Sequence, residues 1–365
     1  MKGLVEMVNN PYNPAFGAVP TYYVTNGWIS DKFLSGVDNL TDKWRETIVT
    51  GIRGSGKTTV ISDIIGKAAT RDDVVVISGN AGTSELLPEI VAGMQRKLPR
   101  LPKLKTLGVK LPAIFDLGFE MPTKSASFRY DIEDMLTFAQ AQGVTVVIAI
   151  DEVQKHSEAL RDYVAAYQQW KMQKLPVATI LAGLPSAIND MLNDDVLTFF
   201  KRANQIKLAA LNEQDILTNY AQVFGDRVPF NLINAMAEGA ANYAFMFQLI
   251  GFNVWLMNKT SYTKDDIDSA LEISKRGLFK AVYEPMMTDL SQNDQRVIKA
   301  SLAAMDGNVI VYAKLRELTG MNENSISTYR LRLINAEILT VAGRGLLKYK
   351  QPYFKAFLES YYTEI

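Results

Sequence analysis

The chain has 365 residues, which is enough for two or three domains with separate hydrophobic cores. Lysine plus arginine and aspartate plus glutamate are equal in number, 39 each, so the chain as a whole is not a strongly basic nucleic-acid binder. It has no cysteine and one histidine, which excludes disulfides, thiolate metal sites and multi-histidine metal sites.

The sequence indicates a cytoplasmic protein that makes no contact with a membrane. It has no run of eighteen apolar residues, which a membrane-spanning helix would need. The first residues include one lysine but no long apolar stretch, so they do not resemble a signal peptide. The lack of cysteine fits the same compartment.

The first 46 residues are rich in proline, glycine and asparagine. We interpret residues 1–46 as a leader that packs on the core of the domain that follows, with a short helix between residues 31 and 42. The reason is that its aromatic side chains need burial. These are Tyr12, Phe16, Tyr22, Tyr23 and Trp28.

Apolar strands and helices alternate between residues 47 and 211. The predicted strands cover residues 46–52, 73–79, 144–151, 177–184 and 205–211, and the predicted helices cover residues 57–69, 84–98 and 158–172. Continuous runs of valine and isoleucine are typical of strands covered by helices on both faces, as in a parallel sheet. The sequence therefore predicts an α/β domain at residues 47–211. Residues 101–127 interrupt the pattern and could form an inserted hairpin.

Gly51 to Thr58 match the eight-position phosphate-loop pattern in full. Its glycines permit tight turns in which successive N–H groups face a phosphate. Lys57 can reach the β- and γ-phosphates of ATP, the Thr58 hydroxyl can ligate Mg²⁺, and the following helix directs its positive end at the phosphates. The predicted nucleotide-binding residues are Gly51, Arg53, Gly54, Ser55, Gly56, Lys57, Thr58 and Thr59.

Two carboxylates, Asp151 and Glu152, come at the end of the predicted strand 144–151. At the carboxyl end of a central strand, Asp151 would lie beside the phosphate loop and hold Mg²⁺ together with Thr58. Glu152 would then be placed to polarise the attacking water. The alternative is an acidic turn in solvent, and the complete phosphate loop disfavours it.

The remainder of the chain is predicted to be mostly helical. Residues 212–284 have apolar side chains three and four positions apart, which is typical of packed helices. Residues 285–365 are predicted to form three helices and a short hairpin, the order of a winged helix.

The third of these helices, residues 322–336, has a polar face suited to duplex DNA. Ser325, Thr328 and Arg332 are candidates for contacts from the helix, and Arg344 at the hairpin turn could enter a minor groove. Between Lys314 and Lys350 there are seven basic and three acidic residues, a local excess that suits phosphate contacts. Winged helices also dock proteins, which is the alternative.

The GxRGxGKT loop, the apolar strand ending in Asp-Glu and the segment VATILAGLPS resemble the AAA+/STAND group of P-loop ATPases. The chain is most similar to bacterial and archaeal ATPases related to the origin-recognition initiators, which carry a winged helix at the carboxyl end. Its leader NPYNPAFGAVP also resembles that of bacterial members. The resemblance implies an α/β fold with a P-loop NTPase parallel sheet, a helical lid at residues 212–284 and a winged-helix domain at residues 285–365.

The resemblance implies two further functional residues. Ser186 follows the strand 177–184 where the family places a polar residue that senses the γ-phosphate, although it could instead cap the next helix. Arg202, with Lys201 as the lesser candidate, lies where the family carries an arginine finger for a neighbouring subunit. A solvated basic helix end is the alternative for these two residues.

The sequence departs from the family in its lid. Family members often present an arginine from the lid to the nucleotide, but the segment EGAANYAFMFQLIGFNVW contains none. Asn242 or Tyr243 could take that place. We therefore expect slow hydrolysis.

These features together predict an ATP hydrolase that binds ATP or ADP with Mg²⁺ and acts as a nucleotide-dependent, double-stranded DNA-binding switch or loader for replication or a mobile element. Its catalytic residues would be Lys57, Glu152 and Arg202. Hydrolysis would depend on a homo-oligomer or a partner protein. The alternative is a STAND-type signalling ATPase whose winged helix docks a protein rather than DNA.

Overall fold

The computed structural model describes residues 10–15, 20, 21, 24, 27–83, 85–100, 125–154 and 157–363. Its contacts divide the chain into two compact units. The sheet unit comprises the described parts of Thr25–Gly51 and Gly56–Ala209. The helical unit comprises the described parts of Met1–Val24, Ile52–Ser55 and Ala210–Ile365. The hairpin predicted at residues 101–127 lies outside the described residues, except for the helix that begins at Ser125.

The sheet unit contains five strands in the order β2-β3-β4-β1-β5, and every pairing is parallel. The strands are β1 (Glu46–Thr50), β2 (Val74–Asn80), β3 (Thr145–Val153), β4 (Val177–Gly183) and β5 (Asn204–Lys207). The helices are α1 (Gly27–Val37), α2 (Lys57–Ala68), α3 (Leu86–Lys97), α4 (Ser125–Ala141), α5 (Glu158–Met172) and α6 (Pro185–Asn193). A 3₁₀ helix, Asp195–Arg202, precedes β5.

Hydrophobic cores cover both faces of this sheet. Along β3, Val147 and Ala149 pack on one face with residues of α1 and α2. Val146, Ile148 and Ile150 pack on the other face with residues of α3 to α6. Side chains of a strand alternate between faces, so apolar residues at consecutive positions are needed to fill two cores. The prediction of a parallel α/β sheet is confirmed.

The helical unit consists mainly of helices and a second, smaller sheet. Its helices are α7 (Glu213–Phe224), α8 (Phe230–Ala240), α9 (Ala244–Leu256), α10 (Lys264–Leu278), α11 (Glu284–Thr288), α12 (Gln292–Ala303), α13 (Tyr312–Thr319), α14 (Glu323–Asn335) and α15 (Phe354–Thr363). A π-helical turn, Phe279–Tyr283, joins α10 to α11. Among the described residues no helix has the length and apolar character needed to cross a bilayer.

The winged helix predicted at the carboxyl end is confirmed. Helices α12, α13 and α14 are followed by an antiparallel hairpin within a four-stranded sheet of order β6-β7-β9-β8. Its strands are β6 (Met305–Asp306), β7 (Val309–Val311), β8 (Leu339–Gly343) and β9 (Leu346–Tyr349). The sequence prediction lacked β6, β7 and the final helix α15. Strands of two or three residues leave no alternating pattern, and α15 is rich in aromatic residues.

The leader is divided between the two units: its described residues up to Val24 belong to the helical unit and those from Gly27 onward belong to the sheet unit. Tyr12 is buried in the core of the helical unit, where its ring lies 5.5 Å from that of Phe247. Helix α1 instead packs in the core of the sheet unit. Trp28 is 51% exposed, so the expectation that it is buried was wrong. Phe16, Tyr22 and Tyr23 lie outside the described residues.

Candidate nucleotide site

The phosphate loop runs from the carboxyl end of β1 to the amino terminus of α2. Gly54 and Gly56 have φ angles of 70° and 92°, in the left-handed region that glycine adopts without strain. Lys57 begins α2, and its Nζ donates to the carbonyl oxygen of Gly51 at 3.0 Å. Lys57 thus links the start of a twelve-residue helix to the residue that follows β1, and the N–H groups and dipole at such a helix start favour an anion.

Thr58 and Asp151 are joined directly in the sheet unit. The Thr58 Oγ1 donates to Asp151 Oδ2 at 2.6 Å, and Asp151 Oδ1 accepts from the backbone N–H of Glu152 at 2.8 Å. The structure thus brings together the two residues predicted to hold Mg²⁺. The described residues contain no group of three or more histidine, cysteine or acidic side chains that could hold a metal alone. The donor set of one hydroxyl and one carboxylate suits Mg²⁺, which takes one or two protein ligands and completes its shell with water and substrate phosphates.

Glu152 adopts an unusual backbone conformation within β3. The strand continues past the predicted end at Asp151 to Val153, and its pairing with β4 shifts register between Ile150 and Val153. Glu152 has a φ of 54°, a left-handed conformation that is uncommon outside glycine. This bulge turns an exposed carboxylate out of the regular pleat, next to the Thr58–Asp151 pair.

Asn80 is a further candidate site residue, which the sequence analysis did not identify. It ends β2 directly opposite Asp151 in the parallel register, and its Nδ2 donates to Glu152 Oε2 at 2.9 Å. Its own Oδ1 accepts from the N–H of Gly82 at 2.7 Å, which fixes the amide orientation. It could have been found as a polar residue at the end of β2, the strand that neighbours the one ending in Asp151 and Glu152.

The other predicted loop residues differ in their surroundings. The Ser55 hydroxyl is buried and bonds to no group among the described residues, so it is available to a ligand. The Arg53 guanidinium instead pairs with Asp289 of the helical unit, at 2.7 Å between Nη2 and Oδ2. Thr59 is half-buried in the first turn of α2.

The two residues implied by the family resemblance lie outside this hydrogen-bonded group. Ser186 is the second residue of α6, whose N-cap is Leu184, so the alternative role of Ser186 as a helix cap is wrong. Its role as a γ-phosphate sensor stays a prediction. Arg202 is exposed at the end of the 3₁₀ helix before β5.

Arg332, the strongest basic candidate on the polar face of α14, is engaged within the winged helix. Its Nη2 lies 2.8 Å from Oδ2 of Asp294, a carboxylate that is 1% exposed and also belongs to the capping box of α12. Arg332 also lies over the ring of Tyr329, 5.6 Å from its centroid. These contacts give Arg332 a structural role whether or not it also touches DNA.

The remaining DNA candidates are Ser325, Thr328 and Arg344, and Arg344 forms no ion pair in the described part of the chain. The backbone N–H of Ser325 donates to the capping side chain of Asn322, and the Thr328 hydroxyl donates to the carbonyl of Asn324. Arg344 is exposed at the turn between β8 and β9.

Ion pairs reduce the basic excess of the winged helix. Besides Arg332, Arg316 pairs with Glu323 at 2.7 Å and Lys350 pairs with Glu337. Three of the seven cations counted between Lys314 and Lys350 therefore have an acidic partner. The exposed cations at the wing are Arg344 and Lys348.

Two regions of the chain match family models. Residues 45–192 match the model of an AAA domain. Residues 280–358, which include the winged helix, match the model described as a domain of unknown function, DUF8462. The comparison with curated proteins found no match.

Solved structures resemble this chain over nearly its full length. A Walker-type ATPase of Pyrococcus abyssi is 16% identical, with a TM-score of 0.67, over 92% of this chain and 96% of its own. The ORC2 protein of Aeropyrum pernix, solved with ADPNP and ADP, is 12% identical, with a TM-score of 0.69, over 96% of this chain and 98% of its own. At these identities the likeness establishes the fold.

The loop Gly51–Thr58, the acidic end of β3 and the strands β1 to β4 all lie within the residues that match the AAA domain. Residues 45–192 therefore form an AAA domain, and the chain shares its fold, including the carboxyl-terminal winged helix, with the Walker-type ATPase of Pyrococcus abyssi and the ORC2 protein of Aeropyrum pernix.

Proposed function

We propose that the protein binds and hydrolyses Mg-ATP at the loop Gly51–Thr58 and that the nucleotide state controls its binding to duplex DNA. The observation that carries the nucleotide part is the 2.6 Å contact of Thr58 with Asp151 at the amino terminus of α2. It supplies a hydroxyl and a carboxylate beside a loop built to face phosphates. The bound metal would supply charge neutralisation at the phosphates.

The residues of the chain then have distinct roles in hydrolysis. Lys57 would contact the β- and γ-phosphates, and Thr58 and Asp151 would hold Mg²⁺. Glu152, kept in orientation by Asn80 at 2.9 Å, would accept a proton from the attacking water. Ser186 would sense the γ-phosphate.

Arg202 supports a dependence on other subunits. It is exposed and stands at the end of a 3₁₀ helix, so its guanidinium is available to a second molecule. We propose that it stabilises charge on the γ-phosphate of a neighbouring subunit in a homo-oligomer or with a partner protein. Hydrolysis by an isolated chain would then be slow.

The winged helix is proposed as the DNA-binding part. Helix α14 presents Ser325 and Thr328, and the turn between β8 and β9 presents Arg344, which is the usual division between a helix in the major groove and a wing on the backbone or minor groove. In this proposal the chain is a cytoplasmic loader or initiator. Its parts are a leader (1–46), an ATPase domain (47–211), a lid (212–284) and the winged helix (285–365).

Fluorescence anisotropy with a labelled DNA duplex tests this proposal. The full chain should bind at low salt, lose affinity as salt rises, and differ in affinity between ATP and ADP. Arg344→Ala should weaken binding and reduce the slope of log affinity against log salt by about one. Lys264→Ala is the control, because Lys264 is a highly exposed cation in the lid. Arg332→Ala is a poor probe because it also removes the partner of buried Asp294.

A second function is favoured by a different observation. Three large apolar side chains are exposed on the winged helix, Leu318 at 47%, Leu331 at 55% and Val341 at 60%, and Leu331 lies in the middle of the polar face of α14. Exposed apolar side chains of this kind suit a protein partner. Absence of DNA binding even at low salt would favour the STAND-type alternative, in which this surface docks a protein.

A further inference from the structure

The tip of the phosphate loop, residues 52–55, makes hydrogen bonds to the lid within the helical unit. The hydroxyl of Tyr243, at the N-cap of α9, donates to the carbonyl oxygen of Arg53 at 2.5 Å. The backbone N–H of Phe245 donates to the carbonyl oxygen of Gly54 at 3.1 Å. Within the tip, the N–H of Ser55 donates to the carbonyl oxygen of Ile52 at 3.2 Å.

The contact at Arg53 determines the orientation of one peptide group. A peptide unit is planar and trans, so the carbonyl oxygen of Arg53 and the N–H of Gly54 point in opposite directions. Because the Tyr243 hydroxyl holds the carbonyl oxygen of Arg53 toward the lid, the N–H of Gly54 points away from the lid. Among the described residues no acceptor is bonded to the Gly54 N–H, so this donor is available to a ligand. The neighbouring N–H of Ser55 is already used by Ile52.

Glycine at position 54 makes this approach possible. A Cβ atom there would lie 2.5 Å from the Tyr243 hydroxyl and 2.8 Å from the Cβ of Phe245, and the φ of 70° is unfavourable for other residues. A flexible glycine can also adopt more than one peptide orientation, which a phosphate site must avoid. The lid contact removes that freedom.

We propose that Tyr243 is a positioning residue for nucleotide binding, whose hydroxyl fixes the Arg53–Gly54 peptide so that the Gly54 N–H faces the phosphates. This inference rests on the proposed function of the loop. The lid then acts on the nucleotide through the backbone of the phosphate loop, in a sequence whose lid segment has no arginine. Burial raises the pKa of the Tyr243 hydroxyl above its ordinary value, which keeps it protonated as a donor.

Tyr243→Phe is the direct test, because it removes the hydroxyl and keeps the ring. Tyr220→Phe is the matched control. Tyr220 is also buried in the helical unit, and its hydroxyl donates to the carbonyl oxygen of Phe247 at 2.7 Å rather than to a loop residue. Each variant loses one buried hydrogen bond to a backbone carbonyl, so each loses a similar part of the folding stability.

Calorimetric titration of the full chain with ATP in Mg²⁺ gives the first readout. Tyr243→Phe should raise the Kd for ATP about three- to tenfold, the equivalent of one hydrogen bond, while Tyr220→Phe should leave it within about twofold. In steady-state hydrolysis the KM should rise and kcat should be retained, since the amide contact exists before the chemical step. A variant that is merely damaged would instead lose kcat.

Two results would overturn the inference. One is a Kd of Tyr243→Phe equal to that of the unmodified chain, and the other is an equal loss in Tyr220→Phe. If the unmodified chain itself fails to bind ATP, the proposed function falls and the inference falls with it, so the two failures are distinguished in one experiment.

Discussion

The Thr58→Val substitution tests the metal-binding part of the site. Valine keeps the β-branched shape of threonine in the first turn of α2 and removes only the hydroxyl that donates to Asp151 at 2.6 Å. A hydrogen bond to a charged group contributes about 1.5–3 kcal/mol when buried. Thr58 and Asp151 are only half-buried, so the loss of folding stability should be near or below the lower end.

The expected effect on ATP binding depends on the metal. With Mg²⁺ present, Thr58→Val should raise the Kd for ATP about tenfold, since one metal ligand worth about 1.4 kcal/mol is lost. In EDTA the Kd should match that of the unmodified chain. Calorimetric titration with ATP under the two conditions measures both values.

Thr70→Val provides the control for this substitution. Thr70 is exposed just beyond the far end of α2, where its hydroxyl donates to the carbonyl of Lys67 at 2.7 Å. Its Kd for ATP should not change under either condition. An equal loss for Thr58→Val with and without Mg²⁺ would refute the assignment of the hydroxyl to the metal, and a similar loss for Thr70→Val would show that the effect is not local.

Three further predictions concern Glu152, Asn80 and Asp294. Glu152→Gln should bind ATP normally and lose hydrolysis, and normal turnover in a phosphate-release assay would exclude Glu152 as the base. Asn80→Ala should lower kcat by about tenfold through the lost 2.9 Å bond to Glu152, and an unchanged kcat would show that Asn80 does not orient it. Asp294→Ala should lower the free energy of unfolding in urea by about 2–3 kcal/mol, since it removes a helix cap and the partner of Arg332. Arg332→Ala should lower the free energy of unfolding by less, because it leaves the capping box of α12 intact, and equal losses would contradict this account.

Much of the fold and the centre of the candidate site could be predicted from local sequence patterns. The loop at Gly51–Thr58 is a continuous motif, and the runs around Val146 and Val177 distinguish buried parallel strands from half-exposed ones. The proximity of Thr58 to Asp151 followed from these patterns, because the carboxyl ends of parallel strands meet at one edge of a sheet.

Features that depend on register or on distant contacts could not be predicted. Asn80 lies beside Glu152 only because β2 and β3 pair with Asn80 opposite Asp151, and no sequence pattern specifies that register. The salt bridge of Arg332 depends on how α14 packs against α12.

The same holds for the lid. The lack of an arginine in the lid segment EGAANYAFMFQLIGFNVW is visible in the sequence, but the bond of the Tyr243 hydroxyl to the carbonyl of Arg53 requires the folded helical unit. A hydrogen bond from a hydroxyl to a backbone carbonyl cannot be recognised as a sequence motif, because every residue has a backbone carbonyl.

The most direct test of the central claim is calorimetric titration of the full chain with ATP in the presence of Mg²⁺, alongside Lys57→Ala. Lys57 begins α2 and holds the loop through Gly51, so its removal takes away the only side-chain cation within the eight-residue motif besides Arg53. We predict one ATP bound per chain and no measurable binding by Lys57→Ala. Absence of binding by the unmodified chain, or equal binding by Lys57→Ala, would contradict the assignment of Gly51–Thr58 as the nucleotide site.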